Sequence, residues 1–80
     1  MTQVRVLYFA SLRDAAGVDS ETFDGAAPDL RALYEGLQQT HGFALPVSQL
    51  RVAVDGAFAH WDDALRDGSE VAFIPPVSGG

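Results

Sequence analysis

The 80 residues include no cysteine, one tryptophan and one methionine, and all five cations are arginine, so lysine is missing as well. Without cysteine the chain has no disulfide, no thiolate nucleophile, no persulfide of its own and no thiolate metal site. Without lysine no side-chain amine is available for a Schiff base or an isopeptide bond. Positive charge is scarce: eleven Asp and Glu stand against five Arg, for a net charge of −6 and a pI near 4.4. That balance gives no basic face for a phosphate backbone, and nucleic acid is excluded as a partner. No apolar run approaches the roughly 18–20 residues of a membrane span. The first residues form a strand-like pattern rather than a charged lead and an apolar signal core, so the expected location is cytoplasmic. The length fits one domain over residues 1–80.

What remains is apolar patterning, with 48% hydrophobic residues. Val4–Phe9 is β-branched and aromatic, and its alternation sends Val4, Val6 and Tyr8 one way and Arg5, Leu7 and Phe9 the other. Ser11–Gly17 reads as a short helical turn stopped by glycine. Val18–Phe23 reads as a strand, a hairpin partner for the first. The main helix carries Leu30, Leu33, Tyr34 and Leu37 at i, i+3, i+4, i+7, with Pro28 in its first turn and Gly42 as its left-handed stop. Gly36 inside it implies close packing against a sheet, since glycine costs up to about 1 kcal/mol there. His41 sits at the helix end, where the dipole favours it. Arg51–Val54, the Asp55–Gly56 turn and Ala57–Ala59 form a second hairpin. Asp67–Gly68 precedes a last strand, Glu70–Ile74, which the prolines end. The order strand, strand, helix and three strands predicts an α+β fold, a sheet with one main helix on one face.

The tail is unusual. Pro75 and Pro76 stiffen the backbone, while Gly79 and Gly80 remove side chains from the last two positions. Pro75, Pro76, Val77, Ser78, Gly79 and Gly80 thus form an extended, flexible tail reaching about 20 Å, narrow enough to thread a channel. Six acids lie between Asp14 and Glu35 and five between Asp55 and Glu70, so from Val71 onward the terminal carboxylate is the only charge. Acids beside it would oppose its approach to an ATP phosphate.

Phe9-Ala10-Ser11-Leu12-Arg13-Asp14, Ala53-Val54-Asp55 and the run from Leu65 through Ile74 to Pro75-Pro76-Val77-Ser78-Gly79-Gly80 resemble the small subunit of molybdopterin synthase. That family consists of ubiquitin-like β-grasp sulfur carriers. The resemblance implies a β-grasp fold and a cycle on Gly80. A ubiquitin-activating-type enzyme adenylates the carboxylate with ATP, and a sulfur donor makes the thiocarboxylate. The large synthase subunit then receives the tail and passes its sulfur to a pterin precursor for the molybdenum cofactor. The carrier itself binds no cofactor, and the catalytic acids and bases belong to the partners. Asp55 stands where many relatives have Asn, Asp14 where Glu is usual, Ile74 where Phe is common, and Ser78 where Thr is common. Alternatives are the same carrier chemistry for thiazole, sulfur amino-acid or tRNA thiolation, protein conjugation through Gly80, and a plain interaction module.

Alternation also defines a partner face. With Arg5 and Glu70 marking solvent, Leu7, Phe9, Ala72 and Ile74 form an apolar patch on the face away from the helix, which Phe58 extends. The family's docking surface falls on positions matching Phe9, Phe58 and Ile74. His60-Trp61-Asp62-Asp63 reads as a solvated loop with a packed Trp61, because His41 and His60 lack ligand spacing and no metal site is expected. Arg13 and Asp14 read as a surface or capping pair.

Overall fold

Period-two alternation sorts the first strand, β1 (Thr2–Tyr8), into a buried row of Val4, Val6 and Tyr8 and an outward row that includes Arg5 and Leu7. The structure is a computed structural model that describes residues 1–76. After β1 come α1 (Ala10–Ala16), β2 (Ser20–Gly25), α2 (Leu30–His41), a 3-10 turn (Val47–Gln49), β3 (Arg51–Val54), β4 (Ala57–Ala59) and β5 (Glu70–Ile74). The five strands make one mixed sheet in the order β2-β1-β5-β3-β4. The first and last strands of the chain, β1 and β5, lie side by side and parallel, and every other neighbouring pair is antiparallel.

The core lies between one sheet face and α2. Leu30, Leu33, Tyr34 and Leu37 of α2 join Val4, Val6, Val52, Val71 and Phe73 in one buried cluster. Fully burying each such side chain contributes about 1.5–3 kcal/mol. Tyr34 stacks against Phe43 and meets Phe73 edge-on at 5.1 Å, and its hydroxyl donates to the Leu45 carbonyl. Trp61 lies parallel to Phe73 at 5.9 Å, so the 60–63 loop packs on the core through that ring. The same loop also holds the start of α2, where Leu30 and Arg31 donate their N–H groups to the Asp63 and Trp61 carbonyls. These bonds satisfy donors that have no partner within the helix.

Several expectations are corrected. Pro28 is outside α2, because the Asp29 carboxylate accepts the Ala32 N–H at 2.8 Å and fixes Asp29 as the cap. Gly36 is on the solvent side rather than packed on the sheet, and a Cβ there would meet nothing within 4 Å. The second strand starts at Ser20, not Val18, since Gly17 turns left-handed to end α1 and Val18 is exposed. Arg13 faces Asp19 at 4.0 Å instead of pairing with Asp14.

The Asp55–Gly56 turn has positive φ at both residues, 51° and 86°, the geometry a two-residue hairpin needs. Asp55 also joins the hairpin to β5: its N–H donates to the Glu70 carbonyl and its carboxylate accepts the Glu70 N–H, both at 2.9 Å. The position needs an acceptor, which aspartate supplies as well as asparagine does. At the far end of β5, Pro75 and Pro76 stop the ladder for want of N–H groups. Val77, Ser78, Gly79 and Gly80 lie outside the described residues.

Candidate docking face and tail root

The sheet face opposite α2 carries a row set by register alone. Leu7 pairs with Ala72, Ala72 with Ala53, and Ala53 with Phe58, so four strands contribute one outward side chain each. The two central residues are alanines and the outer two are large, which makes the row a trough. Ile74 and Phe9 close one end, and Glu70 and Gly56 line the rest. The depression is about 280 Å³, which suits an inserted side chain rather than a whole cofactor.

Two phenylalanines stand proud of it, Phe9 at 45% exposure and Phe58 at 70%. Core aromatics such as Phe73 are fully buried, so these two hold their rings in water without a packing reason. Phe9 follows the last residue of β1, where Ala10 adopts a positive φ of 50° and turns the chain into α1. The β1 alternation thereby carries Phe9 one position past the strand onto the outer face.

The structure thus brings all five alternation residues, Leu7, Phe9, Phe58, Ala72 and Ile74, to one depression. Ala53, which also lines the depression, was missed, as was Arg51 in the neighbouring groove. Both were legible, because β3 alternates Arg51 and Ala53 outward against buried Val52. Arg51 pairs in register with Ile74, and its guanidinium sits 5.7 Å from the Phe58 ring centroid.

Beside this trough, where β5 ends, a second groove of about 810 Å³ follows the root of the tail. Pro75 and Pro76 form one wall, with Trp61, Phe58 and Gln49 among the others. Among the described residues Arg51 is the one ionisable side chain lining it. The exit of β5, the apolar trough and a single cation are therefore contiguous.

The opposite face carries different chemistry. Burial and the bond to Glu21 push the Tyr8 phenol well above its ordinary value, and burial raises Tyr34. Glu21 accepts from Tyr8 and lies 2.6 Å from the His41 ring. His41 is in the last turn of α2, as expected, and meets the rings of Tyr8 and Phe43. Among the described residues no three His, Asp or Glu side chains converge as a metal-ligand set, and no helix is long and apolar enough to cross a membrane.

A mixed sheet with α2 across one face and the last strand, β5, at its centre between β1 and β3 defines a ubiquitin-like β-grasp protein. More specifically, the chain belongs to the ThiS family, whose model matches residues 6–80. The molybdopterin synthase sulfur carrier subunit of Escherichia coli (strain K12) is 35% identical over 80 residues, spanning 96% of this chain and 99% of that protein. The subunit of the same description from Chlamydomonas reinhardtii is 40% identical over 89 residues, spanning 98% and 99%. Among solved structures, a Pyrococcus furiosus protein described as a molybdopterin converting factor subunit 1 superposes with a TM-score of 0.80. It is 31% identical and covers 96% of this chain and all of its own.

Proposed function

We infer that this chain is the sulfur carrier subunit of a molybdopterin synthase and that the carboxylate of Gly80 is its working group. The observation carrying this reading is the geometry at the end of β5. A core strand held by neighbours on both sides leaves the sheet through Pro75 and Pro76, directly beside an exposed apolar trough. The trough gives a partner a surface to grip while the tail is handed over. The full-length similarity to carrier subunits supports the same reading.

The chemistry follows from the carboxylate. Its oxygen attacks the α-phosphorus of ATP, pyrophosphate leaves, and the acyl carbon becomes electrophilic. Sulfur from a donor then adds to that carbon and AMP departs, leaving a thiocarboxylate. At neutral pH this is a far better nucleophile than the original carboxylate. ATP is held by an adenylating enzyme of the ubiquitin-activating type and the pterin precursor by the large synthase subunit. The carrier acts in the cytoplasm, where ATP is supplied, and contributes the tail and the docking face. Leu7, Phe9, Phe58, Ala72 and Ile74 form that face, while Pro75, Pro76, Val77, Ser78 and Gly79 thread the partner's channel.

Intact-mass analysis of the protein from its native cells tests this. An oxygen-to-sulfur exchange confined to Gly80 is expected, together with recovery of a pterin-binding subunit in pull-downs. An unmodified tail in the presence of the adenylating enzyme, ATP and sulfide would refute carriage. Recovery of a thiazole synthase, or of Gly80 in amide linkage to other proteins, would replace the pathway.

A further inference from the structure

We propose that Arg51, braced on Phe58 at the tail root, receives an aspartate or glutamate carboxylate of the large synthase subunit and so selects that partner. The proposal rests on the carrier reading above and adds a polar element to an otherwise apolar contact.

Three observations support it. Among the described residues Arg51 is the one charged residue lining the groove along Pro75 and Pro76, and it lies opposite Ile74 in the sheet register. Any protein that covers Phe58 and Ile74 while taking in the tail therefore covers the guanidinium too. Among the described residues no carboxylate lies within 4 Å of Arg51, although Arg13 and Arg31 each have one. Finally, the guanidinium is 5.7 Å from the Phe58 centroid, within cation–π range, which limits its freedom before docking.

Covering an arginine without an acceptor leaves a desolvated charge, which opposes association. A facing carboxylate removes that cost and can accept two parallel N–H bonds from the guanidinium fork. The position thereby rejects surfaces that offer only apolar or cationic groups there, which is selection by penalty as much as by attraction. The net charge of −6 would by itself favour cationic partners, so a carboxylate at this one point is a local exception to the general field.

The absence of lysine makes the test clean. Arg51→Lys introduces the only side-chain amine in the chain, so a carbodiimide can join it without a spacer to a carboxylate in contact. The full-length variant is mixed with the large subunit of the same organism, treated, and mapped by peptide mass spectrometry. Position 51 joined to an Asp or Glu of the large subunit is expected. No link from position 51, or links only to carboxylates of this chain, would overturn the proposal. In parallel, Arg51→Gln should weaken binding about tenfold or more, mainly by faster dissociation. Unchanged affinity in that variant would also overturn it. Phe9→Asp separates this failure from failure of the carrier reading. If Phe9→Asp abolishes binding and Arg51→Gln does not change it, only the Arg51 proposal falls. If the unmodified chain does not bind the large subunit, the carrier reading falls first.

Discussion

Phe58 lies on edge strand β4 with 70% of its surface in water, so Phe58→Ala should affect docking and folding very differently. A phenylalanine carries about 150–250 Å² of apolar surface. On the order of 100 Å² of that, exposed now and covered only in a complex, is lost in the variant. At about 25 cal/mol per Å² the loss is roughly 2–3 kcal/mol of association free energy, a weakening of about 30- to 150-fold. The folded monomer loses only the partly solvated contact with Arg51, about 0.5–1 kcal/mol. That corresponds to a melting shift of no more than about 4–8 °C in a domain of this size. Phe73 supplies the contrast, because it is fully buried between Tyr34 and Trp61. Phe73→Ala should cost about 3–5 kcal/mol of stability, a large part of what a small domain has. Thermal melts and titration calorimetry against the large subunit read both quantities. Melting of Phe58→Ala as low as that of Phe73→Ala, or a change in affinity below about threefold, would refute the separation of faces.

Gly36→Ala should raise stability by up to about 1 kcal/mol, since the helix position is exposed and the added methyl meets nothing; a lower melting temperature would contradict this. Asp29→Ala should cost about 1 kcal/mol by freeing the Ala32 N–H, with Asp29→Asn largely restoring it in denaturant titrations. Both tyrosines of the chain have raised pKa values, Tyr8 through burial and Glu21 and Tyr34 through burial. Raised folded values mean that their contribution to stability is complete below the unfolded pKa of about 10 and falls as pH rises above it. Tyrosinate absorbance should therefore appear together with loss of far-ultraviolet dichroism, and its appearance near pH 10 in a fully folded chain would show the burial to be wrong.

Periodicity alone marked out the strands and the main helix, and composition pointed to the Gly80 carboxylate as the proposed working group. Alternation in β1 and β5 and the Leu30–Leu33–Tyr34–Leu37 spacing are local, because strand and helix periods fix which side chains share a face before any tertiary contact exists. The absence of cysteine and lysine likewise leaves the terminal carboxylate of Gly80 as the group to which composition points. Tertiary structure decided what depends on distant partners. Strand order placed β5 beside β1 in the middle of the sheet, and register aligned Leu7, Ala72, Ala53 and Phe58 into one trough. Arg51 lies on Phe58 because their strands pair, a relation that composition does not encode. Gly36 and Pro28 show the same limit from the other side. Their intrinsic preferences suggested a packed glycine and a proline start, but the position of the sheet and the Asp29 cap decided otherwise. Local rules fix which way a side chain faces, whereas what it faces depends on segments that meet only when the chain folds.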